Sequence, residues 1–241
     1  MKLKILLILF LICNSYIVYT QKSYFEYYRL RNQYLSIKEN NLKDSVFQLM
    51  LTYELPRNEL KLLKRNSNSK INKKAIKKKL KLRKAKRYES QYENKLKAIF
   101  KADQDVRKLS KGDSMRMIKM YSIDSLNKIS LKALIDKYGY PTYEIVGEES
   151  IKYFGVLMNH YVYDTNWVTV DKINYYFNTG SMDAFWSMWA IDKHLMLFEK
   201  VDVSYFNLFF MLVNKMEPNT ALVKERRSKY GYSGTNRISK R

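Results

Sequence analysis

Four side chains have the chemical types that acid–base catalysis requires, namely His160, Asp103, Arg107 and Asp192. A histidine whose ring is oriented by a carboxylate can accept or donate a proton near neutral pH. If Asp103 or Asp192 orients His160, the group suits hydrolysis or group transfer with water as the nucleophile. The alternative is structural, because a histidine close to the end of an apolar helix is usually a core or capping residue.

The spacing of Asp103 and Arg107 places them together before any tertiary contact is considered. They stand at positions i and i+4, so on a helix they share a face and can form an ion pair, with Gln104 nearby. In solvent such a pair is worth at most about 0.5 kcal/mol, so a larger structural role requires burial.

The residues that usually hold metals and cofactors are missing or badly spaced, so we predict neither. His194 lies only two residues from Asp192, which directs the two side chains to different faces of a helix, and no second histidine is close to His160. The chain contains no Walker loop and no dinucleotide fingerprint. Residues 231–234 lack the spacing of a serine nucleophile elbow.

The elements that must position these residues are predicted to be helices. Apolar residues recur every three or four positions in most of the chain, and seven glycines and three prolines are too few for a turn-rich β fold. This pattern predicts helices over residues 23–55 (one or two), 69–109, 124–139, 148–161, 168–177 and 182–197. The apolar run at 203–213 fits a β-hairpin or a buried helix, and we favour the hairpin.

A lysine-rich tract occupies the first half of the helix predicted over residues 69–109. Between Lys61 and Arg87 there are fourteen Lys or Arg residues and no Asp or Glu, in a chain of net charge +22. No aromatic residue interrupts the tract, so it lacks the stacking surfaces of single-strand binders, which argues against nucleic acid. An anionic membrane or envelope surface is the better partner, and a solvated helix is the alternative. The candidate contact residues are Lys73, Lys77, Lys78, Lys79, Lys81, Arg83 and Lys84.

The N-terminus has the pattern of an export signal. Lys2 and Lys4 precede an apolar stretch, and residues 18–20 form a cleavage site, which predicts a mature chain starting near Gln21 in the periplasm or outside the cell. An uncleaved membrane anchor is the alternative. Cleavage would remove Cys13, the only cysteine, so the mature protein would contain no disulfide.

Residues 93–231 resemble a widespread bacterial family classed as a domain of unknown function. The resemblance rests on the order of short blocks: Asp103-Gln104-Asp105-Val106-Arg107, Asp124 with Asn127, Tyr138-Gly139-Tyr140-Pro141-Thr142, Gly147, Asn159-His160, Asp192-Lys193, and Arg226-Arg227 before Gly231. It implies that the polar block residues form a site, which adds Gln104, Lys193, Arg226 and Arg227 as candidate binding residues. This chain has Lys193 where the family usually has arginine, and Tyr205-Phe206-Asn207 where the family has Tyr-Gly-Thr-Gln.

These observations predict a mainly α protein. We expect a signal peptide over residues 1–20, a helical lysine-rich appendage over 21–92, a helical domain over 93–231 and a basic tail over 232–241. The favoured function is binding or interaction at the cell envelope, with an anionic surface, a protein or an unidentified small molecule as partner. The alternative is a hydrolase-like enzyme that uses His160, an aspartate, and Arg107 or Arg226 as the group that stabilises negative charge.

Overall fold

The structure is a computed structural model that describes residues 23–85, 88–109 and 114–198, together with Ala221 and Glu225. Nine helices and no strand occur in this part of the chain, so the expected mainly α fold is confirmed. The helices are α1 (Tyr24–Ser36), α2 (Asn40–Met50), α3 (Arg57–Asn66), α4 (Lys70–Ala85), α5 (Ser90–Arg107), α6 (Arg116–Tyr138), α7 (Gly147–His160), α8 (Val170–Asn178) and α9 (Ala184–Phe198).

The helix expected over residues 69–109 is divided into α4 and α5. Glu89 caps α5, because its side chain accepts a hydrogen bond from the backbone N–H of Gln91 at 3.3 Å. The backbone N–H of Glu89 donates to the carbonyl of Ile145 at 3.0 Å, which ties the start of α5 to the segment before α7. The interruption is therefore fixed by a tertiary contact that periodicity cannot reveal.

Helices α1 to α4 share one hydrophobic core with the rest of the described chain. On α1, Tyr24 packs against Tyr143 with ring centroids 5.5 Å apart, and Phe25 and Tyr28 pack against Phe177 of α8 at 5.0 and 5.5 Å. No gap in the core marks the boundary that we placed near residue 92, since Tyr92 itself is completely buried. Aromatic side chains thus anchor α1 to the remaining helices, and Ile76 of the lysine-rich α4 is part of the same core.

Helix α5 packs against both α6 and α7, and these three helices carry the residues of the candidate site. α6 ends where the sequence predicts, at Gly139, whose φ of 77° lies in the left-handed region that glycine adopts without strain. On α7, Gly155 allows α9 to approach closely, because a Cβ atom there would lie 2.8 Å from Cβ of Trp186. A larger residue at 155 would push α9 away from the end of α7.

Several predicted features lie outside the described residues. These are the signal peptide over 1–20, the hairpin near 203–213, Arg226 and Arg227, and the basic tail over 232–241. Within the described ranges, none of the helices combines the length and the apolar character that crossing a membrane requires.

Candidate acid–base site at the end of α7

Three helices bring four ionisable side chains together. Asp103 and Arg107 come from the last turns of α5, Asp124 from α6, and His160 is the final residue of α7. His160 is separated from Asp103 by 57 positions in the chain, yet its Nδ1 atom lies 2.8 Å from Oδ2 and 2.9 Å from Oδ1 of that carboxylate. The predicted contact between His160 and an aspartate is therefore present, and the aspartate is Asp103.

Asp103 is held in place by neighbours on its own helix. Arg107 donates to its Oδ1 atom from Nε at 3.0 Å and from Nη2 at 2.8 Å, and Gln104 donates to Oδ2 from Nε2 at 2.7 Å. The predicted i,i+4 ion pair is confirmed, and it is not an exposed one, because the Asp103 side chain has no solvent exposure. A carboxylate bonded on both oxygens by groups of its own helix cannot turn away from His160.

Arg107 also joins the two aspartates. Its Nη2 atom donates to Oδ1 of Asp124 at 2.8 Å as well as to Asp103, and its Nε atom lies 2.9 Å from Nδ1 of His160. The histidine ring is therefore in direct contact with one carboxylate and one guanidinium, and the second carboxylate, Asp124, is held through Arg107. Asp124 was part of a family-like sequence block but not one of our candidate site residues, because nothing in its spacing connects it with Arg107.

The environment of Asp103 favours its charged form. Burial alone would raise its pKa, but the hydrogen bonds from His160 and Arg107 outweigh burial, so the pKa of Asp103 lies below its usual value. The carboxylate is therefore ionised at neutral pH and can accept a hydrogen bond from a protonated ring nitrogen of His160.

Lys193 lies beside the histidine. Its Nζ atom donates to the backbone carbonyl of Asn159 at 2.9 Å and lies 5.4 Å from the ring centroid of Tyr163. Burial, with the positive charge of Arg107 as a second cause, lowers the pKa of Lys193. Asn159 in turn donates to the carbonyls of Gly155 and Trp186, which fixes the backbone that Lys193 contacts. The lysine thus supplies a partly buried cation at one side of the site.

Tyr161 is a site residue that the sequence did not single out. It follows His160 directly, is 2% exposed, and its hydroxyl has no hydrogen-bond partner among the described residues. Burial and the nearby charges of Asp103 and Asp124 raise its pKa, so the hydroxyl keeps its proton. A buried hydroxyl next to two carboxylates is an available donor, and its only signal in the sequence is its position after the histidine.

The other predicted site residues are placed differently. Asp192, the second aspartate proposed to orient His160, is completely buried on α9, while the carboxylate that contacts His160 belongs to Asp103. Arg226 and Arg227 lie beyond the described ranges. Among the described residues, no group of three or more His, Cys, Asp and Glu side chains is arranged to hold a metal ion.

The lysine tract divides into an exposed and a protein-facing side. Six lysines of α4 lie on its exposed side and form what we call the lysine stripe: Lys70, Lys73, Lys74, Lys77, Lys78 and Lys81. Lys79 instead donates to the carbonyl of Tyr53 at 2.9 Å, and Arg83 lies 3.9 Å from Glu148 with its side chain 10% exposed. Two of the seven predicted contact residues therefore face the protein, and the side chain of Lys84 lies outside the described part.

We expect the hydrogen bonds of Asp103 to make the free energy of unfolding depend on pH in the acid range. Because its pKa is lower in the folded chain than in the unfolded chain, where it is about 3.9, the carboxylate stabilises the fold above that pH. This contribution is lost as pH falls through the folded pKa. Urea unfolding between pH 7 and pH 3 should show a shallower loss of stability for Asp103→Asn than for the wild type, and identical curves would contradict the assignment.

Comparison of the chain with protein-family models, with curated proteins and with solved structures finds no match in any of the three. The chemistry of the site therefore has to be inferred from its own geometry. That geometry consists of a half-buried histidine, a buried carboxylate in contact with it, and two cations beside the pair.

Proposed function

We propose that the protein is a hydrolase-like enzyme in which His160 activates a water molecule. The observation that carries this proposal is the contact of His160 Nδ1 with the buried carboxylate of Asp103 at 2.8 Å. The ring is 22% exposed, and its second nitrogen, Nε2, has no hydrogen bond to any of the described residues. A histidine held at one nitrogen by a carboxylate, with the other nitrogen not bonded by the described residues, has the arrangement of a general base.

The proton position on the ring follows from the neighbouring charges. Nδ1 contacts both Asp103 and Nε of Arg107, and Arg107 Nε already donates to Asp103. A proton on Nε2 would make Nδ1 the acceptor for Arg107. We instead place the proton of the neutral ring on Nδ1, where it points toward the ionised carboxylate of Asp103, so that Nε of Arg107 donates to Asp103 alone. Nε2 then carries the lone pair that removes a proton from water.

The proposed reaction needs no group beyond water and the substrate. Nε2 of His160 takes one proton as the water oxygen forms a bond to an electrophilic carbon or phosphorus, and Asp103 stabilises the resulting imidazolium. The bond to the leaving group then breaks, and Nε2 returns the proton to that group. Lys193 would stabilise the negative charge that develops on the substrate oxygen.

A substrate screen with a built-in control tests this proposal. Chromogenic carboxylic esters, phosphate monoesters, phosphate diesters and amides are offered to the wild type and to His160→Asn at equal concentration. We expect at least one class to be turned over by the wild type well above the rate with the variant. Equal rates with every class, for two proteins of the same melting temperature, would contradict a catalytic role for His160.

We also propose that the resemblance to the domain-of-unknown-function family reflects common ancestry. The support is that the residue blocks on which it rests are distant in the chain but meet at one site. Asp103, Arg107, Asp124 and His160 come from three of those blocks and contact each other directly, and Lys193 comes from a fourth.

A second candidate function is attachment to an anionic surface at the cell envelope, which we propose for the lysine stripe. The observation that favours it is the one-sided exposure of α4. Ile71 and Leu82 are 76% and 59% exposed at the edge of the stripe, while Asn72 and Ile76 on the opposite side are buried. Lysines bordered by exposed apolar side chains are typical of helices that lie on a charged interface. Export through the signal over residues 1–20 would bring the stripe to that surface.

We expect the triple variant Lys73→Gln, Lys77→Gln and Lys81→Gln to bind phosphatidylglycerol vesicles about 100-fold more weakly than the wild type. Each lysine close to an anionic membrane contributes about 1 kcal/mol, and the stripe would lose half of its charge. The matched control is Lys95→Gln, Lys97→Gln and Lys101→Gln, which removes the same charge from exposed positions of α5. Vesicle sedimentation at low and high salt provides the measurement, and equal losses in both variants, or no salt dependence, would overturn the surface contact.

A further inference from the structure

A cleft of about 650 Å³ lies between the start of α3, the middle of α5 and the first half of α7. Its volume falls within the range of about 300–1,000 Å³ that is usual for small-molecule sites. It is separate from the acid–base site, because its α7 residues run from Glu148 to Val156 and His160 stands at the far end of that helix. Neither the catalytic proposal nor the lysine stripe uses it.

One wall of the cleft is aromatic. Phe100 of α5 and Tyr153 of α7 stack with their ring centroids 4.4 Å apart and their planes at 19°. Both side chains are half-buried and line the cleft, so they offer fixed apolar ring surface to a ligand. Rings that are already packed against each other lose little conformational freedom when a further flat group contacts them.

The carboxylates of the cleft are already engaged. Glu148 accepts a hydrogen bond from the backbone N–H of Arg57 at 2.9 Å and lies within 4.0 Å of both Arg83 and Lys152. Glu149 accepts a hydrogen bond from the hydroxyl of Tyr153 at 2.5 Å. Cations of the protein therefore face the charge of Glu148, while Glu149 keeps its negative charge and is held by the neutral hydroxyl of Tyr153.

Two cations of the cleft are not balanced in this way. The side chains of Arg57 and Lys61 stand at positions i and i+4 of α3, both are exposed, and neither forms an ion pair with a described residue. Side chains four residues apart on a helix lie next to each other, so the two positive groups can contact the same anionic group of a ligand. The cleft thus combines an aromatic wall with a pair of available cations.

We propose that this cleft binds a small aromatic anion. The ring of the ligand would pack against Phe100 and Tyr153, and its carboxylate, sulfonate or phosphate group would contact Arg57 and Lys61. The opposed placement of ring surface and cations selects ligands that carry both features. A neutral aromatic compound would leave the cations unused, and a small inorganic anion would leave the aromatic wall unused.

Calorimetric titration with naphthalene-1-sulfonate tests the proposal, since this probe has both features and contains no bond that a hydrolase of the proposed type cleaves. Methanesulfonate and naphthalene-1-methanol supply the anion and the ring separately. We expect the full-length protein to bind naphthalene-1-sulfonate at least about tenfold more tightly than either. No binding, or equal affinity for one of the two partial probes, would overturn the proposal.

A matched pair of variants locates the site. Lys61→Gln should weaken the binding of naphthalene-1-sulfonate about two- to fivefold, which is the scale of one exposed charge contact. Arg65→Gln removes the same charge one turn further along α3, outside the cleft, and should leave the affinity unchanged. His160→Asn should also bind normally, which separates this site from the catalytic proposal. Equal weakening by Lys61→Gln and Arg65→Gln would show general charge attraction and would overturn the assignment.

Discussion

Replacing His160 by asparagine should lower kcat/KM for the substrate class found in the screen by about 10²- to 10⁴-fold, the usual contribution of a general base. Asparagine keeps a hydrogen-bonding group near Asp103 but cannot carry a proton between water and a leaving group. The side chain is at the end of α7 and 22% exposed, so we expect little change in melting temperature. Steady-state kinetics and thermal unfolding of the same preparations provide the two measurements.

Chemical rescue separates lost proton transfer from lost packing. His160→Ala leaves a space at the end of α7, and added imidazole should restore part of its activity in proportion to concentration. A variant that loses melting temperature but no turnover would identify His160 as a packing residue. If Asp103→Asn had no effect on the rate, the carboxylate would not act through the ring, and the proposed role of Asp103 would be contradicted.

Part of the site could be predicted from the sequence because part of it is local. Asp103, Gln104 and Arg107 lie within one turn and a half of helix, so their contacts follow from helical spacing alone. The choice between Asp103 and Asp192 as the partner of His160 was open, because both are aspartates on predicted helices. It depends on how α5 and α9 approach α7, and no periodic pattern records that approach.

The helices were predictable for the same reason, whereas the packing of the lysine-rich helix was not. Apolar residues every three or four positions place most of the helices correctly, including the stop of α6 at Gly139. The high density of lysines after Lys61 suggested an appendage, yet Ile76 on α4 is completely buried. Charge on one side of a helix does not indicate whether the other side is packed, so the packing of α4 could not be predicted from its lysines.

The same limit applies to single residues of the lysine tract. From composition alone, Lys79 and Arg83 are predicted to be surface contact residues in the same way as Lys77 and Lys81. Their positions on the helix turn them toward Tyr53 and Glu148 instead. A surface function of α4 can therefore be tested only with the exposed lysines.

A buried ion pair in the N-terminal helices has the largest expected effect on stability. The side chain of Arg31 on α1 is 1% exposed, and its Nη1 atom donates to both carboxylate oxygens of Glu59 on α3 at 2.7 Å. The hydroxyl of Tyr27 donates to the same carboxylate at 2.8 Å, and the guanidinium lies 4.8 Å from the ring centroid of Tyr28. Water can therefore replace little of this contact, since the two side chains are only 1% and 11% exposed.

We expect Arg31→Met to lower the free energy of unfolding by about 3–5 kcal/mol, because it leaves the carboxylate of Glu59 buried without its cation. Arg29→Met is the matched control, since the Arg29 pair with Glu26 has 69% and 40% exposed side chains and should be dispensable. Removing all three polar partners together, in Tyr27→Phe, Arg31→Met and Glu59→Leu, should recover most of the loss, because no buried charge or hydroxyl is then left unpaired. Urea unfolding of the four proteins measures this, and a triple variant as unstable as Arg31→Met would show that the pair itself, and not the uncompensated charge, stabilises the contact of α1 with α3.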